Sequence, residues 1–313
     1  MSKFNMQNIV VWIKNDEKGG FKFKYPDKAD NYLKLQVENS LNLGWPKEDI
    51  IVITNFPFEH MGVKAHIATD ICRWSAFVNK LVVIDEMIKK GVVNDNFWLH
   101  DADAYQLVPF SFPENCKDVG FTQHAPGRQK PQGGSSFYRK SAYDIVEAIA
   151  TMIKIVKPRQ EEIFFPPFYQ KKNGARSIEK LKGKIKIFEE KVKLELASNE
   201  KYKNKKDFKP KKKYRKKLRR VTAYYEEAKK YYGAFADRMS WLDWTYCLFR
   251  QSHFSRKYPR AEKPIKVVHF HTEYPSTMNC FYYGKNKFKV RIVTDELEKL
   301  FLKYGLITEE QRR

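Results

Sequence analysis

Two kinds of hydrophobic pattern alternate along the chain. Short apolar runs rich in β-branched and aromatic residues predict buried strands, and these runs lie at Ile9–Ile13, Ile50–Thr54, Phe97–Leu99, Val119–Thr122 and Ile265–Phe270. Longer segments with apolar residues three or four positions apart predict amphipathic helices, and these segments are Asp30–Leu43, His66–Lys90 and Thr294–Tyr304. Because strands alternate with helices, the pattern favours an α/β fold with a mostly parallel central sheet.

Two carboxylates follow directly from one of the predicted strands. The run Phe97–Leu99 leads through His100 into Asp101 and Asp103. Residues i and i+2 of a strand project to the same side, so both carboxylates can bind one divalent cation, which can in turn bind phosphate oxygens. Since ligands collect at the carboxyl ends of strands in open α/β sheets, the pattern predicts a metal–diphosphate site. A helix cap or a solvated turn is the alternative, and His100, on the opposite side, is expected to be structural.

A pair of histidines near the end of the chain is a second candidate for the same site. His269 and His271 follow the β-branched residues Val267 and Val268, so both are expected on one face at a strand end. One imidazole could complete the coordination of a cation held by carboxylates, because Mn²⁺ accepts mixed nitrogen and oxygen ligands. His269 is the preferred ligand, and the alternative is that the histidines are ordinary packed or exposed residues.

The segment around residue 130 is rich in Gly, Pro and Gln and is predicted to be a loop. Gly133 and Gly134 are expected to form a turn whose amides bind phosphates or sugar hydroxyls, although a plain flexible turn fits the same pattern. The residues before them include His124, Arg128 and Lys130 and could close over a substrate.

A carboxylate between two tryptophans is the candidate for proton transfer. Asp243 lies between Trp241 and Trp244 in a segment that is predicted to be helical. Aromatic walls suit sugar rings, and a carboxylate held there could accept the proton of an attacking hydroxyl. Asp237 is the competing carboxylate, and the alternative is that both tryptophans belong to the core.

Two charged side chains are expected one turn apart on the predicted helix His66–Lys90. Asp70 and Arg73 could form a local ion pair. Alternatively, Arg73 reaches a diphosphate and Asp70 binds a base or a ribose.

Positive charge is concentrated in one segment. The chain carries a net charge of +23, and residues 171–230 alone hold 24 Lys and Arg against 8 Asp and Glu, a net charge of +16. This segment is predicted to form two helices folded back on each other near residues 204–210. Such a concentration predicts a polyanionic partner, nucleic acid first and an anionic membrane second, with a solvated helical face as the alternative. Its densest basic residues are Lys211, Lys212, Lys213, Arg215, Lys216, Lys217, Arg219 and Arg220.

Membrane-spanning and cysteine-dependent architectures are not expected. No stretch reaches the roughly 18 uninterrupted apolar residues of a membrane span. The four cysteines lack the paired spacing of a zinc site or a disulfide framework. We expect a soluble cytoplasmic protein, in the host cytoplasm if its source is viral, and the oligomeric state is left open.

Taken together, these motifs resemble those of the GT-A class of sugar-nucleotide-dependent glycosyltransferases. The resemblance lies in the first two strands and in Asp70, Arg73, Asp101, Asp103, Gly133–Ser135, Trp241–Asp243 and Val268–Phe270. It implies a GT-A fold, a nucleotide-sugar donor that is most often UDP-linked, and Mn²⁺ or Mg²⁺. No Lys-Pro-Trp sequence follows His269 as in some retaining families, so the phosphate-binding lysine and the stereochemical outcome stay open.

By position, the resemblance implies roles for single residues. Asp101, Asp103 and His269, with His271 as a substitute, would hold the metal, and Asp243 would be the base or would position the acceptor. The nucleotide sugar would face Thr54, Asn55, Asp70, Arg73, Asp101, Gly133 and Gly134. The catalytic domain would comprise residues 1–170 and 231–313, with residues 171–230 as an inserted basic helical hairpin.

The basic segment determines the expected acceptor. Lysines interleaved with tyrosines suit a phosphate backbone. The leading hypothesis is therefore an enzyme resembling the phage glycosyltransferases that modify hydroxymethylated pyrimidines in double-stranded DNA, where the target base may need to flip out. A first alternative keeps the activity but transfers the sugar to a polysaccharide, a lipid or a protein. A second is a metal-dependent nuclease that uses Asp101, Asp103 and the histidines, for which more carboxylates are expected.

Overall fold

The computed structural model describes residues 4–14, 29–125, 128–158, 171–204, 212–249, 262–270, 282–283, 290–291 and 293–312. Seven strands form the central sheet: Gln7–Trp12 (β1), Ile50–Thr54 (β2), His66–Ile67 (β5), Phe97–His100 (β6), Val119–Ala125 (β8), Arg128–Tyr138 (β9) and Met239–Trp241 (β10). Their spatial order is β10–β8–β9–β6–β1–β2–β5. Only the two pairings of β9 are antiparallel, so the predicted α/β class with a mostly parallel sheet is confirmed.

The direction of the strands creates one edge at which several turns of the chain meet. β9 is antiparallel to both of its neighbours, β6 and β8, while the other strands run parallel to one another. β2, β6, β8 and β10 therefore end at the same side of the sheet, which we call the carboxyl edge. Residues that directly precede these strands lie at the opposite, amino edge.

Helices cover both faces of this sheet. In the described residues they are Ala29–Asn42 (α1), Asn79–Lys89 (α2), Tyr143–Val156 (α3), Lys171–Tyr202 (α4), Lys213–Lys230 (α5), Asp295–Lys303 (α6) and Glu309–Arg312 (α7). Ile9 and Val11 of β1 contribute to the apolar layer beneath α2 and α3, whereas Val10 and Trp12 contribute to the layer beneath α1 and α6. This two-sided burial explains the uninterrupted apolar runs of the sequence. No described helix combines the length and apolarity needed to cross a membrane.

A second, smaller sheet lies in the layer of α1 and α6. Its strands are Ala104–Gln106 (β7), Leu248–Phe249 (β11) and Val267–His269 (β12), in the order β11–β12–β7. β12 runs antiparallel to β7, and His269 pairs with Ala104. Two two-stranded sheets complete the described strands, formed by Glu59–His60 (β3) with Val63–Lys64 (β4) and by Tyr282–Tyr283 (β13) with Val290–Arg291 (β14).

The two helices predicted in the basic segment are present as α4 and α5. They pack against each other, and α5 also contacts α3. Leu181 of α4 is buried, and Phe188 contacts the ring of Tyr214 in α5. Glu195 of α4 accepts a hydrogen bond from Tyr214 N–H at 2.7 Å and so caps the first turn of α5. The division of the chain into a catalytic domain and an insertion stays a prediction.

The predicted helix His66–Lys90 is wrong in its first half. Its first two residues form β5, and α2 begins only at Asn79. The segment between them is held by side chains rather than by helical bonds. Asn79 Oδ1 accepts from Cys72 N–H at 2.6 Å, and the Glu86 carboxylate accepts from Thr69 N–H at 3.1 Å.

Two further predictions of local structure are wrong. The glycine turn at Gly133 and Gly134 is instead part of the long strand β9. The predicted helix at Ser240–Thr245 is instead the end of β10, followed by a short 3₁₀ turn at Trp244–Tyr246. At Ser240 the extended chain follows from pairing with β8. At Gly134 it follows from β6 and the turn after it, since Ser135 pairs with His100 and Gly134 O accepts from Asp101 N–H.

Candidate metal centre

The chain turns sharply after β6 and carries Asp101 and Asp103 at the carboxyl edge. Asp101 N–H donates to Gly134 O of β9 at 3.0 Å, and Ala104 N–H donates to Asp101 O at 2.9 Å. Phe270 N–H donates to Asp103 O at 2.9 Å, which joins this turn to the end of β12. The backbone that carries both carboxylates is thus held on two sides.

β12 brings His269 to the same place. Its Nε2 lies 3.1 Å from Asp103 Oδ1 and 3.5 Å from Asp101 Oδ2. One ligand atom from each of the three side chains lies within 4.8 Å of the others. Asp101 is the most exposed of the three, at 30% of its side chain, against 12% for Asp103 and 7% for His269. A ligand would therefore approach from the side of Asp101.

The imidazole of His269 lies directly against β9. A Cβ atom on Gly134 would lie 2.1 Å from His269 Nδ1, so only glycine leaves room for the ring. Gly134 thus serves the site through close packing within a strand, not through a flexible turn.

The cluster combines negatively and positively charged side chains in direct contact. Burial disfavours the charged imidazole of His269, but the carboxylates of Asp103 and Asp101 outweigh burial and hold its pKa well above the ordinary value. Burial alone would raise the pKa of Asp101, whereas the positive charges of Lys80 and His269 lower it.

The three side chains also suit a divalent cation. Two carboxylate oxygens and one imidazole nitrogen form a mixed donor set that Mn²⁺ accepts readily, whereas Mg²⁺ prefers oxygen ligands. The residues present therefore fit the cation that the GT-A resemblance implies, with Mn²⁺ favoured.

Lys80 is a member of this cluster that the sequence analysis missed. It lies in the first turn of α2, and its Nζ lies 2.9 Å from Asp101 Oδ1 and 3.0 Å from Gly133 O. A helix that follows a strand of a parallel sheet begins at the carboxyl edge, so the first turn of α2 lies on the side of the carboxylate pair. The predicted start at His66 instead put Asp70 and Arg73 near the start of the helix.

Asp70 and Arg73 are not neighbours on a helix. Asp70 is half exposed and forms an ion pair with Lys154 of α3. Its N–H donates to Glu86 at 3.0 Å, and Arg73 is exposed in the irregular segment before α2. The nucleotide contacts expected of both residues stay a prediction.

Thr54 and Asn55 lie at the carboxyl edge, but their side chains bind the protein itself. Thr54 is fully buried, and its hydroxyl donates to Phe56 O. Asn55 makes two 2.8 Å hydrogen bonds to the backbone of Lys14 and so joins the ends of β1 and β2. Both residues shape the edge in this structure, and the nucleotide contacts expected of them stay a prediction.

The two candidate bases lie at opposite edges of the sheet. Asp237 lies just before β10 and is exposed at the amino edge, away from the carboxylate pair, and its catalytic role stays a prediction. Asp243 follows β10 at the carboxyl edge, where its Oδ1 accepts from Thr245 N–H at 2.8 Å and from Glu262 N–H at 3.0 Å. Its neighbours Trp241 and Trp244 pack into the two different apolar layers and do not form a pair of walls.

His100 has the structural role that strand alternation predicts. It is buried, its Nε2 lies 2.8 Å from Asn8 Oδ1, and its Nδ1 lies 3.0 Å from Asp101 O. Burial lowers its pKa to about 4, so the ring is neutral.

The remaining candidate residues divide into described and undescribed ones. His271 and Lys211 lie outside the described residues. The other basic residues of the densest cluster are exposed, as expected of a binding surface, and they are Lys212, Lys213, Arg215, Lys216, Lys217, Arg219 and Arg220.

No protein-family model and no curated protein sequence matches the chain. Among solved structures, it aligns over 84% of its length with 93% of a glycosyltransferase involved in glycosylation of the major capsid of PBCV-1, at 11% identity and a TM-score of 0.38. It aligns over 98% of its length with 99% of the galactosyltransferase LgtC, at 10% identity and a TM-score of 0.39. It also aligns over 85% of its length with 97% of mouse xyloside xylosyltransferase 1, at 8% identity and a TM-score of 0.37. Both the sequence identity and the TM-score are low in all three alignments.

Proposed function

We propose that this chain is a glycosyltransferase that moves a sugar from a nucleotide-sugar donor, UDP-linked above all, to a hydroxyl acceptor. The observation that carries the proposal is the convergence of Asp101, Asp103 and His269 at the carboxyl edge of a mostly parallel sheet. That edge is where open α/β sheets bind their ligands. The same three residues belong to the motifs that resemble the GT-A class.

A divalent cation would be held by Asp101, Asp103 and His269 Nε2. When bound, it supplies positive charge that stabilises the departing nucleoside diphosphate. Lys80 supplies a second positive charge beside the cation position. Its ammonium lies against Asp101, and 17% of its side chain is exposed. A donor phosphate that enters from the Asp101 side would meet this ammonium.

Asp243 is the proposed acceptor-side residue. It follows β10 at the same edge as the carboxylate pair. One of its oxygens already bonds to two backbone N–H groups. This fixes the carboxylate and leaves its other oxygen to orient, or to deprotonate, an acceptor hydroxyl.

The proposed acceptor is double-stranded DNA that carries hydroxymethylated bases. The exposed basic side chains of α5 support a phosphate-rich partner. An aromatic ring lies between these basic side chains. The ring of Tyr214 lies within 6 Å of the ammonium groups of Lys191, Lys213 and Lys217.

The test is a transfer assay with the purified chain, UDP-sugars and Mn²⁺. Hydroxymethylated DNA, plain DNA and oligosaccharides serve as acceptors, and we expect sugar to enter only the hydroxymethylated DNA. Asp103→Asn should lower turnover about 100-fold or more, because it removes a charged ligand from the cluster. Asp95→Asn is the matched control, since Asp95 is exposed at the amino edge just before the same strand and should leave turnover unchanged.

Each outcome points to a different conclusion. Transfer to an oligosaccharide alone would contradict the DNA acceptor but retain the activity. Cleavage of DNA without any donor would favour the nuclease hypothesis. Undiminished turnover by a folded Asp103→Asn variant would place the reaction outside this cluster.

A further inference from the structure

We infer that Gln132 is a positioning residue of the metal centre, whose side-chain amide fixes a proton on His269 Nδ1 so that Nε2 can bind the cation. The inference rests on the proposed function, since it requires a cation at Asp101, Asp103 and His269. It assigns a role to a buried residue in a segment that the sequence analysis interpreted as a loop.

Gln132 lies on β9 and is almost completely buried, at 3% exposure. Its Nε2 lies 2.9 Å from His269 Nδ1, while the other ring nitrogen faces the carboxylates of Asp101 and Asp103. Its Oε1 has no hydrogen-bond partner among the described residues. An acceptor oxygen without a partner among the described residues is therefore buried near the ring, an arrangement that is unfavourable in a folded protein.

Metal binding by His269 would provide a hydrogen-bond donor for this oxygen. An imidazole that binds a metal through Nε2 carries its proton on Nδ1, and that proton needs an acceptor. A half-turn of the Gln132 amide exchanges Nε2 and Oε1, which occupy nearly the same space, and sets the oxygen against Nδ1–H. The rotation gives the buried oxygen the partner that it lacks.

An amide suits this position because its oxygen can accept a hydrogen bond from the ring. Without a cation, the ring Nε2–H donates to Asp103, and Nδ1 lies 2.9 Å from the Gln132 amide. With a cation at Nε2, the amide oxygen accepts from Nδ1–H. The buried thiol of Cys247 also bonds to the ring, but sulfur is a weak acceptor and does not replace the amide.

The surroundings hold the ring in the orientation that this requires. The backbone at Gly134 lies directly beneath Nδ1. The pairing of β12 with β7 fixes the backbone of His269. These contacts already fix the position of the ring. Gln132 therefore determines which ring nitrogen carries the proton.

The test is a Mn²⁺ titration of the purified chain, followed by the electron paramagnetic resonance signal of the free ion. Gln132→Ala should raise the Kd about 10- to 100-fold, the range for outer partners of metal ligands. Gln132→Glu retains an acceptor oxygen and should restore binding to near the wild-type value. Thr122→Val on β8 is the matched control, because it removes a buried hydroxyl that has no partner among the described residues, and its Kd should not change.

The outcomes separate this inference from the proposal on which it rests. Equal Mn²⁺ affinity of the wild type and a folded Gln132→Ala variant would overturn the role of Gln132. A wild type that does not bind Mn²⁺ would instead contradict the proposed function. If Gln132→Ala does not fold, the nitrogen spectrum of His269 in the wild type with diamagnetic Zn²⁺ decides. A protonated, slowly exchanging Nδ1 is expected, and a proton on Nε2 would overturn the inference.

Discussion

Single side chains determine which groups at the carboxyl edge stay charged. Asp101, Asp103 and His269 could be predicted from the sequence because each adjoins a strand with a clear apolar run. Lys80 and Gln132 could not, because their roles depend on where α2 begins and on whether β9 is a strand. At this scale, a motif indicates candidate ligands but not the side chains that lie against them.

Lys80→Met removes the one described ammonium that contacts the carboxylate pair. We expect kcat/KM for the nucleotide sugar to fall about 100-fold, the effect of losing one preorganised charge in an active site, while thermal stability changes little. Steady-state kinetics with varied donor concentration measures this loss.

Lys89→Met is the control for that experiment, since Lys89 lies in the last turn of the same helix and is 57% exposed. It should retain wild-type kinetics. A Lys80→Met variant with unchanged kcat/KM would mean that the ion pair with Asp101 is only structural.

Elements could be predicted where burial alone decides them. β1, β2, β6 and β12 follow β-branched or aromatic runs, and α6 shows the periodicity of an amphipathic helix with Thr294 as its cap. The start of α2 could not be predicted in this way. Ile71 and Trp74 have helical spacing, yet they pack against the core from an irregular segment that Asn79 and Glu86 hold in place. Side-chain bonds between distant residues override the local pattern there.

β9 is the other element that could not be predicted from the composition of its segment. Gly, Pro and Gln are poor strand residues, and together they predicted a loop. The strand forms because β6 and β8 pair with it on both sides, and because His269 requires a glycine at position 134. The same tertiary contacts that make the site therefore also decide the secondary structure.

Glu86 fixes the segment before α2, and its ionisation should be visible in stability. Burial would raise its pKa, but hydrogen bonds from Lys90, Thr69 and Asp70 lower it from its ordinary 4.5 to about 2. A carboxylate with a lowered pKa in the folded state contributes stability above its unfolded pKa and loses it as the pH falls. The contribution is therefore complete above about pH 5 and disappears between about pH 5 and pH 2.

Glu86→Gln should lower the free energy of unfolding by about 1–3 kcal/mol at pH 7, since the N–H groups of Thr69 and Asp70 lose a charged acceptor. The difference from wild type should shrink as the pH approaches 2, and urea unfolding at several pH values measures it. Glu147→Gln, at an exposed ion pair of α3, is the matched control and should change little. A constant difference across this pH range would show that Glu86 is not ionised in the way described.

At the scale of the whole molecule, the basic hairpin and the site belong to one connected structure. α5 contacts α3, α3 contacts α2, and α2 carries Lys80 to the carboxylate pair. The hairpin holds most of the net positive charge of the chain, whereas the cluster at the carboxyl edge balances its own charges. A polyanion could thus bind the hairpin without competing for the cluster, which suits an enzyme with a charged acceptor and a separate donor.

The most direct test of the central claim is the anomalous-scattering map of a crystal soaked with Mn²⁺ and UDP. The account predicts one manganese peak at roughly 2.0–2.6 Å from oxygens of Asp101 and Asp103 and from His269 Nε2, with the diphosphate of UDP beside it. Bound UDP with manganese elsewhere, or with none at these three residues, would contradict it.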